Sequence, residues 1–400
     1  MSYVDLAEAA TVRARARPAA RIGKVGAPLA VIIVLGTVAG LIVIMLTALN
    51  PVGTAVGFAL SSVAMTVVVL AYLWLDRWEP EPPRLLVLAF LWGASVAVVV
   101  SAVLQLWIEA SVNHGLADTA GAGSVVIAAP LTEEAAKGLF LVLMMSGRRR
   151  NELNSLTDCL VYAGITAAGF AWLEDILYIA SGKSLGESLL TAAMRLIMAP
   201  FAHPLFTTMT GIGVYFALQR RNVAAKIGCI LLGYLGAVIM HGLWNGSSLL
   251  GVRAYIVVYL LWMVPIFGLA VWLGVWSRRR EQRVVASKLP AMVAAGVVTA
   301  NEATWLGSIR NRKLAIGEAT QHGGRAAGKS VKKFAAQAVE LAFERDRIDR
   351  GFGDPRVAAL LTEEANGVYA ARAAAPTLQW LANYRAPSAP PSPSSGRTRR

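Results

Sequence analysis

The chain has 400 residues, 56% of them hydrophobic and only 16% charged, with a mean hydropathy of +0.55. Soluble domains carry about 25% charged residues, so an ordinary soluble protein is excluded. The formal charge of +14 would suit nucleic acid, but the basic residues gather at the ends of apolar blocks. That is where they set membrane topology, and no nucleic-acid partner is expected.

Residues 1–26 include Arg13, Arg15, Arg17, Arg21 and Lys24 and read as a cytoplasmic N-terminal segment. Ala27–Leu49 is too long for a signal-peptide core and lacks a small-residue cleavage site, so it reads as a retained first span. Seven further blocks have about the length that crosses a bilayer as helix: Gly53–Leu75, Leu85–Ile108, Ser124–Met145, Leu160–Ser181, Leu189–Leu218, Ile227–Leu250 and Ala254–Trp276. The long Leu189–Leu218 block has room to tilt or to include an interfacial turn. Between the second and third blocks, "LDRWEPEPPRLL" carries Asp76, Glu79 and Glu81 and reads as a solvated cytoplasmic turn. His114 and His322 read as loop residues, and Cys159 and Cys229 as small apolar packing residues without a disulfide.

One set of block ends holds Arg77, Arg84, Arg148–Arg150, Arg220, Arg221, Lys226 and Arg278–Arg280, together with the N-terminal cations. The opposite ends hold Lys183 and Arg253 and almost nothing else. Eight spans with both termini in the cytoplasm satisfy this alternation. The expected fold is all-α: a polytopic bundle of about eight transmembrane helices over residues 27–276, set in the lipid bilayer of the plasma membrane. Residues 277–386 read as a cytoplasmic helical segment. Within it "AAQAVELAFERDRI" has helical spacing with charges on one face. Asp354 and Pro355 offer an N-cap and a first helical residue for another helix. Large apolar residues are few there, so no strong core is expected. Residues 387–400, rich in Pro and Ser, read as a disordered tail.

A charged side chain at mid-bilayer costs about 2.5–3.5 kcal/mol, yet four consecutive blocks carry several polar groups each. The fourth holds Glu133, Glu134 and Lys137, the fifth Glu174 and Asp175, the sixth Arg195 and His203, and the seventh His241. Counted from the expected outer ends, Glu134, Glu174, His203 and His241 lie at roughly 10–21 Å depth, which fits one shared cluster. Histidine nitrogens and carboxylate oxygens are zinc ligands, and a neighbouring carboxylate can take a proton from water.

Spacing places Lys137 within reach of Glu133 (i,i+4) and Glu134 (i,i+3). The adjacent glutamates point about 100° apart, so one can face the site while the other pairs with Lys137. Thr207 and Asn245 share faces with His203 and His241 at i,i+4. Asn245 suits an oxyanion donor, an orienter of His241, or a simple helix-end hydrogen bond. Pro130 is expected to kink the helix or to mark its true start.

These residues resemble the PrsW family of intramembrane proteases, within the wider group that contains type II CAAX-prenyl endopeptidases. The family pattern has an EExxK helix, a GFAxxEN-like helix, an HxxxT segment and an HxxWN segment. Here they read Glu133-Glu134-x-x-Lys137, "GFAWLED" ending at Glu174-Asp175, His203 to Thr207, and His241 to Asn245, within about residues 75–250. Asp175 stands where the family usually has Asn, which puts an amide role there in doubt.

The resemblance implies peptide-bond hydrolysis in or beside the membrane, on a membrane-anchored protein substrate such as an anti-sigma factor. It makes Glu133, Glu134, Glu174, His203, His241 and Asn245 the candidate catalytic residues, supported by Lys137, Asp175 and Thr207. His203, His241 and Glu174 are the candidate ligands for Zn2+, while a metal-free route with glutamate activating water stays open. A proton- or ion-coupled transporter uses similar residues, but the paired repeats and matching broken spans of transporters are not seen in this sequence. A scaffold with a buried structural cluster is the other alternative.

Overall fold

A chain in lipid must satisfy its backbone internally, which leaves helices as the local solution for each apolar block. The structure, a computed structural model, describes residues 28–112, 120–352, 355–373, 381 and 383–386. All regular elements among the described residues are helical. The N-terminal segment to residue 26, His114, Asp354 and the tail 387–400 lie outside the described residues.

The membrane-type helices are, in order, α1 (Leu29–Leu49), α2 (Pro51–Leu75), α3 (Pro83–Ser111), α4 (Ala129–Met144) and α5 (Leu156–Ala180). They continue with α6 (Leu185–Ala192), α7 (Ala202–Leu218), α8 (Val223–Leu249) and α9 (Val252–Ala294). α6 and α7 belong to one apolar stretch, Leu185–Leu218, interrupted by a π-helical turn at Ala193–Met198 and a break before Ala202. Among the described residues seven helices, with that stretch counted once, are long and apolar enough to cross a membrane. The expected eighth, Ser124–Met145, is a π-helical turn at Ser124–Ala128 followed by α4. It falls outside that class because it carries Glu133, Glu134 and Lys137. The chain is a multi-pass membrane protein. Its last apolar helix does not stop at Trp276, as expected, but runs on to Ala294.

α5 is the pillar of the bundle. In its most apolar window 94% of residues are buried, against 6% in α9 and 11% in α1. It starts at a capping box, in which the Ser155 side chain accepts from the Asp158 backbone and Asp158 Oδ2 accepts from the Ser155 backbone. At its other end the Ala180 and Gly182 carbonyls accept from Asn50 Nδ2, at 2.9 and 3.0 Å. Asn50 also caps α2. Where α3 crosses α5, Gly93 and Gly169 let the backbones meet: a Cβ on Gly169 would fall 2.0 Å from the Phe90 carbonyl oxygen. Such close approach is how small residues pack helices in lipid. Outward-facing Ile33, Val34, Leu261 and Trp272 are exposed, as a lipid-facing surface requires. Cys159 and Cys229 are free thiols, as expected.

The turn after α2 departs from the expectation of a solvated loop. Asp76 and Glu81 are each only 6% exposed. Asp76 Oδ2 accepts from the Glu81 backbone at 2.8 Å, and Tyr162 donates to Glu81 Oε2 at 2.7 Å. A charge run in sequence does not reveal that a tyrosine on α5 will reach it.

The described residues divide into two compact units: the membrane helices as far as Ser277, and a second unit of Arg77–Glu79 with the described residues from Arg278 on. The second unit overturns the expectation of no strong core. Trp78, Val285, Leu289, Met292, Trp305 and Phe334 are buried together. α10 (Ala300–Leu306), α11 (Ile309–Arg347) and α12 (Pro355–Ala373) build this unit. α11 contributes Ala315, Ala319, Ala335, Ala338 and Ala342 to the core, small residues that count for little in an apolar scan yet let helices approach closely. It bends at Gly324, whose φ of 76° needs glycine, and His322 lies on this helix rather than in a loop. Pro355 opens α12 as expected.

Candidate active site

α4 begins where Pro130 can be accommodated. The Ser124–Ala128 π-helical turn precedes it, and Pro130 occupies a first-turn position that needs no N–H. One turn on, Glu134 and Lys137 are fully buried and Glu133 is 6% exposed. Lys137 Nζ lies 2.7 Å from Glu134 Oε1, 3.6 Å from Glu133 Oε2 and 3.0 Å from His203 Nδ1. It also sits 4.0 Å from the centre of the Phe170 ring, a cation–π contact.

The two glutamates differ in what they hold. Thr207 Oγ1 donates to Glu134 Oε2 at 2.8 Å, and His241 Nδ1 lies 3.1 Å from Glu134 Oε1. An ionised carboxylate only accepts, so the His241 Nδ1 facing Glu134 carries a proton. The other ring nitrogen of His241, Nε2, is 3.8 Å from Glu133 Oε2. Glu133 Oε1 accepts from Gln105 Nε2 at a long 3.4 Å, and its Oε2 is buried without a hydrogen bond.

α5 supplies the other pair of acids. Glu174 Oε2 lies 2.7 Å from His203 Nε2, which fixes the His203 proton on Nε2 and makes its Nδ1 the acceptor for Lys137. Arg195, on the Ala193–Met198 π-helical turn, donates through Nη2 to Glu174 and through Nε to Asp175, and lies 4.2 Å from the centre of the Tyr178 ring. The His203 and His241 rings are 5.1 Å apart at 88°, and Phe206 stacks on His241 at 4.8 Å.

The structure therefore brings together Glu133, Glu134, Lys137, Glu174, Asp175, His203, Thr207 and His241, drawn from four helices. Asn245 stays outside this network: its Nδ2 donates to the Val125 carbonyl at 3.0 Å and ties α8 to the turn before α4. Glu133, His203 and His241 can each offer a ligand atom within 4.8 Å of one another. The sequence reading placed Glu174 in that ligand set, whereas here Glu174 is held by Arg195 and His203.

Sequence reasoning gave no site role to Arg195 or Gln105. Arg195 did leave a signal, as a cation within an apolar block. Gln105 left none, because its part depends on how α3 packs against α4. Two apolar cavities of about 270 and 280 Å³ meet at Phe201, Leu205 and Phe267 and take no acid or imidazole from the cluster.

Carboxylates, imidazoles and an ammonium buried together among apolar helices mark a functional site in the membrane rather than plain helix packing. Residues 81–273 match the family described as PrsW family intramembrane metalloprotease. Three curated proteins named Protease PrsW are similar. The one from Clostridioides difficile (strain 630) is 24% identical over 47% of this chain and 77% of its own length. That from Geobacillus kaustophilus (strain HTA426) is 27% identical over 46% and 76%, and that from Oceanobacillus iheyensis 24% identical over 52% and 93%. No solved structure is significantly similar. Residues 81–273, just under half of the chain, are thus similar to the PrsW family of intramembrane proteases.

Proposed function

We propose that this intramembrane endopeptidase activates water at Glu133 and cleaves a single-pass, membrane-anchored protein, with an anti-sigma factor as the candidate substrate. The observation that carries the assignment is Glu133 Oε2, buried without a hydrogen bond, 3.6 Å from Lys137 Nζ and 3.8 Å from His241 Nε2. Glu134 cannot do the same work while its oxygens hold Lys137, Thr207 and His241. It acts as the fixed anion that sets the His241 tautomer and neutralises Lys137.

A divalent metal fits the donor set. Four carboxylates (Glu133, Glu134, Glu174, Asp175) face two cations (Lys137, Arg195), leaving two negative charges for a dication to cancel. Glu133, His203 and His241 would hold it, with His203 giving up one of its two hydrogen bonds. His241 already has the carboxylate-backed imidazole that metal ligands favour. Bound Zn2+ would polarise water and lower its pKa. Without metal, Glu133 Oε2 accepts the water proton directly as hydroxide adds to the scissile carbonyl, then returns it to the leaving amine nitrogen. Either way Glu133 is indispensable, as a ligand in one case and as a base in the other.

The basic-residue alternation supports eight spans in the plasma membrane, α4 included, with both termini cytoplasmic and the cluster in the outer half or middle of the bilayer. The metal is tested by element analysis of active protein together with chelation. The expected result is about one zinc per chain, loss of cleavage on chelation and recovery on adding zinc. Full activity at well under one metal per chain removes zinc and leaves Glu133 as the base.

A further inference from the structure

We propose that Arg195 is a positioning residue of this site, a proposal that rests on reading the cluster as hydrolytic. It acts on the water-activating groups through Glu174 and His203. Arg195 occupies the π-helical turn Ala193–Met198, shortly before the break that leads into α7 and His203. Such turns often mark functional positions because they re-aim a side chain. Glu174 and Asp175 are sequence neighbours on α5, so their side chains diverge by about 100°. One planar guanidinium spans them, with Nη2 on Glu174 and Nε on Asp175, and its face rests on Tyr178. An ammonium is a point charge and cannot hold both acids in that orientation.

The oxygen of Glu174 that Arg195 grips is the same Oε2 that receives His203 Nε2–H. Fixing that oxygen fixes the His203 ring and its tautomer, so His203 Nδ1 faces Lys137 at 3.0 Å. Lys137 in turn holds Glu134, and Glu134 holds His241. Arg195 itself reaches neither Glu133 nor either imidazole in these contacts. Asp175 gains a role that an amide could not fill as well: its carboxylate anchors the Arg195 Nε–H by a charge-assisted hydrogen bond.

The test uses the full chain in liposomes with a single-pass substrate, and compares Arg195→Ala, Arg195→Lys and Glu133→Gln with wild type. In Arg195→Ala, kcat is expected to fall about 100-fold with KM nearly unchanged, the size of effect that misplaced groups produce. Added guanidinium matches the shape and charge of the group removed. It should restore cleavage at least about tenfold in Arg195→Ala while leaving wild type unaffected, and ethylammonium should not. Arg195→Lys keeps the charge and should fold, yet should remain slow. Wild-type kcat in either folded variant overturns the proposal. So does a loss in folded Arg195→Ala that guanidinium fails to restore. If Arg195→Ala does not fold, the kcat of Arg195→Lys decides. Active Glu133→Gln would instead overturn the hydrolytic assignment, whatever Arg195 does.

Discussion

Glu133 and Glu134 are adjacent in sequence and separate in function because the helix aims them differently. Glu134 is fully buried and has ammonium, hydroxyl and imidazole partners. Removing its charge leaves Glu133, at 3.6 Å, as the nearest carboxylate to the buried Lys137 ammonium. Breaking a buried pair typically costs about 3–5 kcal/mol, so Glu134→Gln should lower the unfolding temperature in detergent markedly as well as impair cleavage. Glu133→Gln removes a buried charge whose Oε2 has no hydrogen bond. It should abolish cleavage and leave the unfolding temperature unchanged or raised. Equal destabilisation by the two substitutions would contradict this division of labour. The sequence showed both acids, since a charge inside an apolar block is conspicuous, but their partners lie on α5, α7 and α8, and only packing separates their roles.

At the scale of elements, the turn between α2 and α3 makes a pH prediction. Burial pushes the Glu81 carboxyl well above the usual carboxylate range, and the Asp158 and Asp76 charges push it the same way. The folded chain therefore binds this proton more tightly than the unfolded chain, whose glutamates titrate near ~4.3. Its contribution to stability is full below about pH 4 and is lost as pH rises through the folded value. Glu81→Gln keeps an acceptor for Tyr162 and has no charge to bury. It should unfold at a higher temperature than wild type at alkaline pH, with no advantage near pH 4. An advantage that is the same at both pH values would show that ionisation of Glu81 is not the cause. The sequence displayed the acids of this turn but not their burial, because Tyr162 belongs to a different apolar block. The break before α7 was partly legible, since the Leu189–Leu218 block was too long for one plain span.

For the whole molecule, the apolar blocks made the helical membrane class readable from composition, and the charged residues within four of them marked the site. The second unit was hidden because its core depends on alanines and on isolated tryptophans such as Trp78 and Trp305. The orientation of the bundle is open to direct measurement. Reporter fusions after Arg150, Arg221 and Arg280 should signal the cytoplasm, and fusions at Lys183 and Arg253 the outside. A cytoplasmic signal at Lys183 would remove the topology on which the shared depth rests.

The central claim is that Glu133, as base or as metal ligand, is required for water to attack a peptide bond within the membrane. It is tested most directly by cleavage in liposomes prepared in 18O-labelled water, with products read by mass spectrometry. Wild type should yield two fragments of a single-pass substrate, with 18O in the new C-terminal carboxylate. Folded Glu133→Gln should yield none. Cleavage by Glu133→Gln at the wild-type rate, or fragments without the label, would contradict the account.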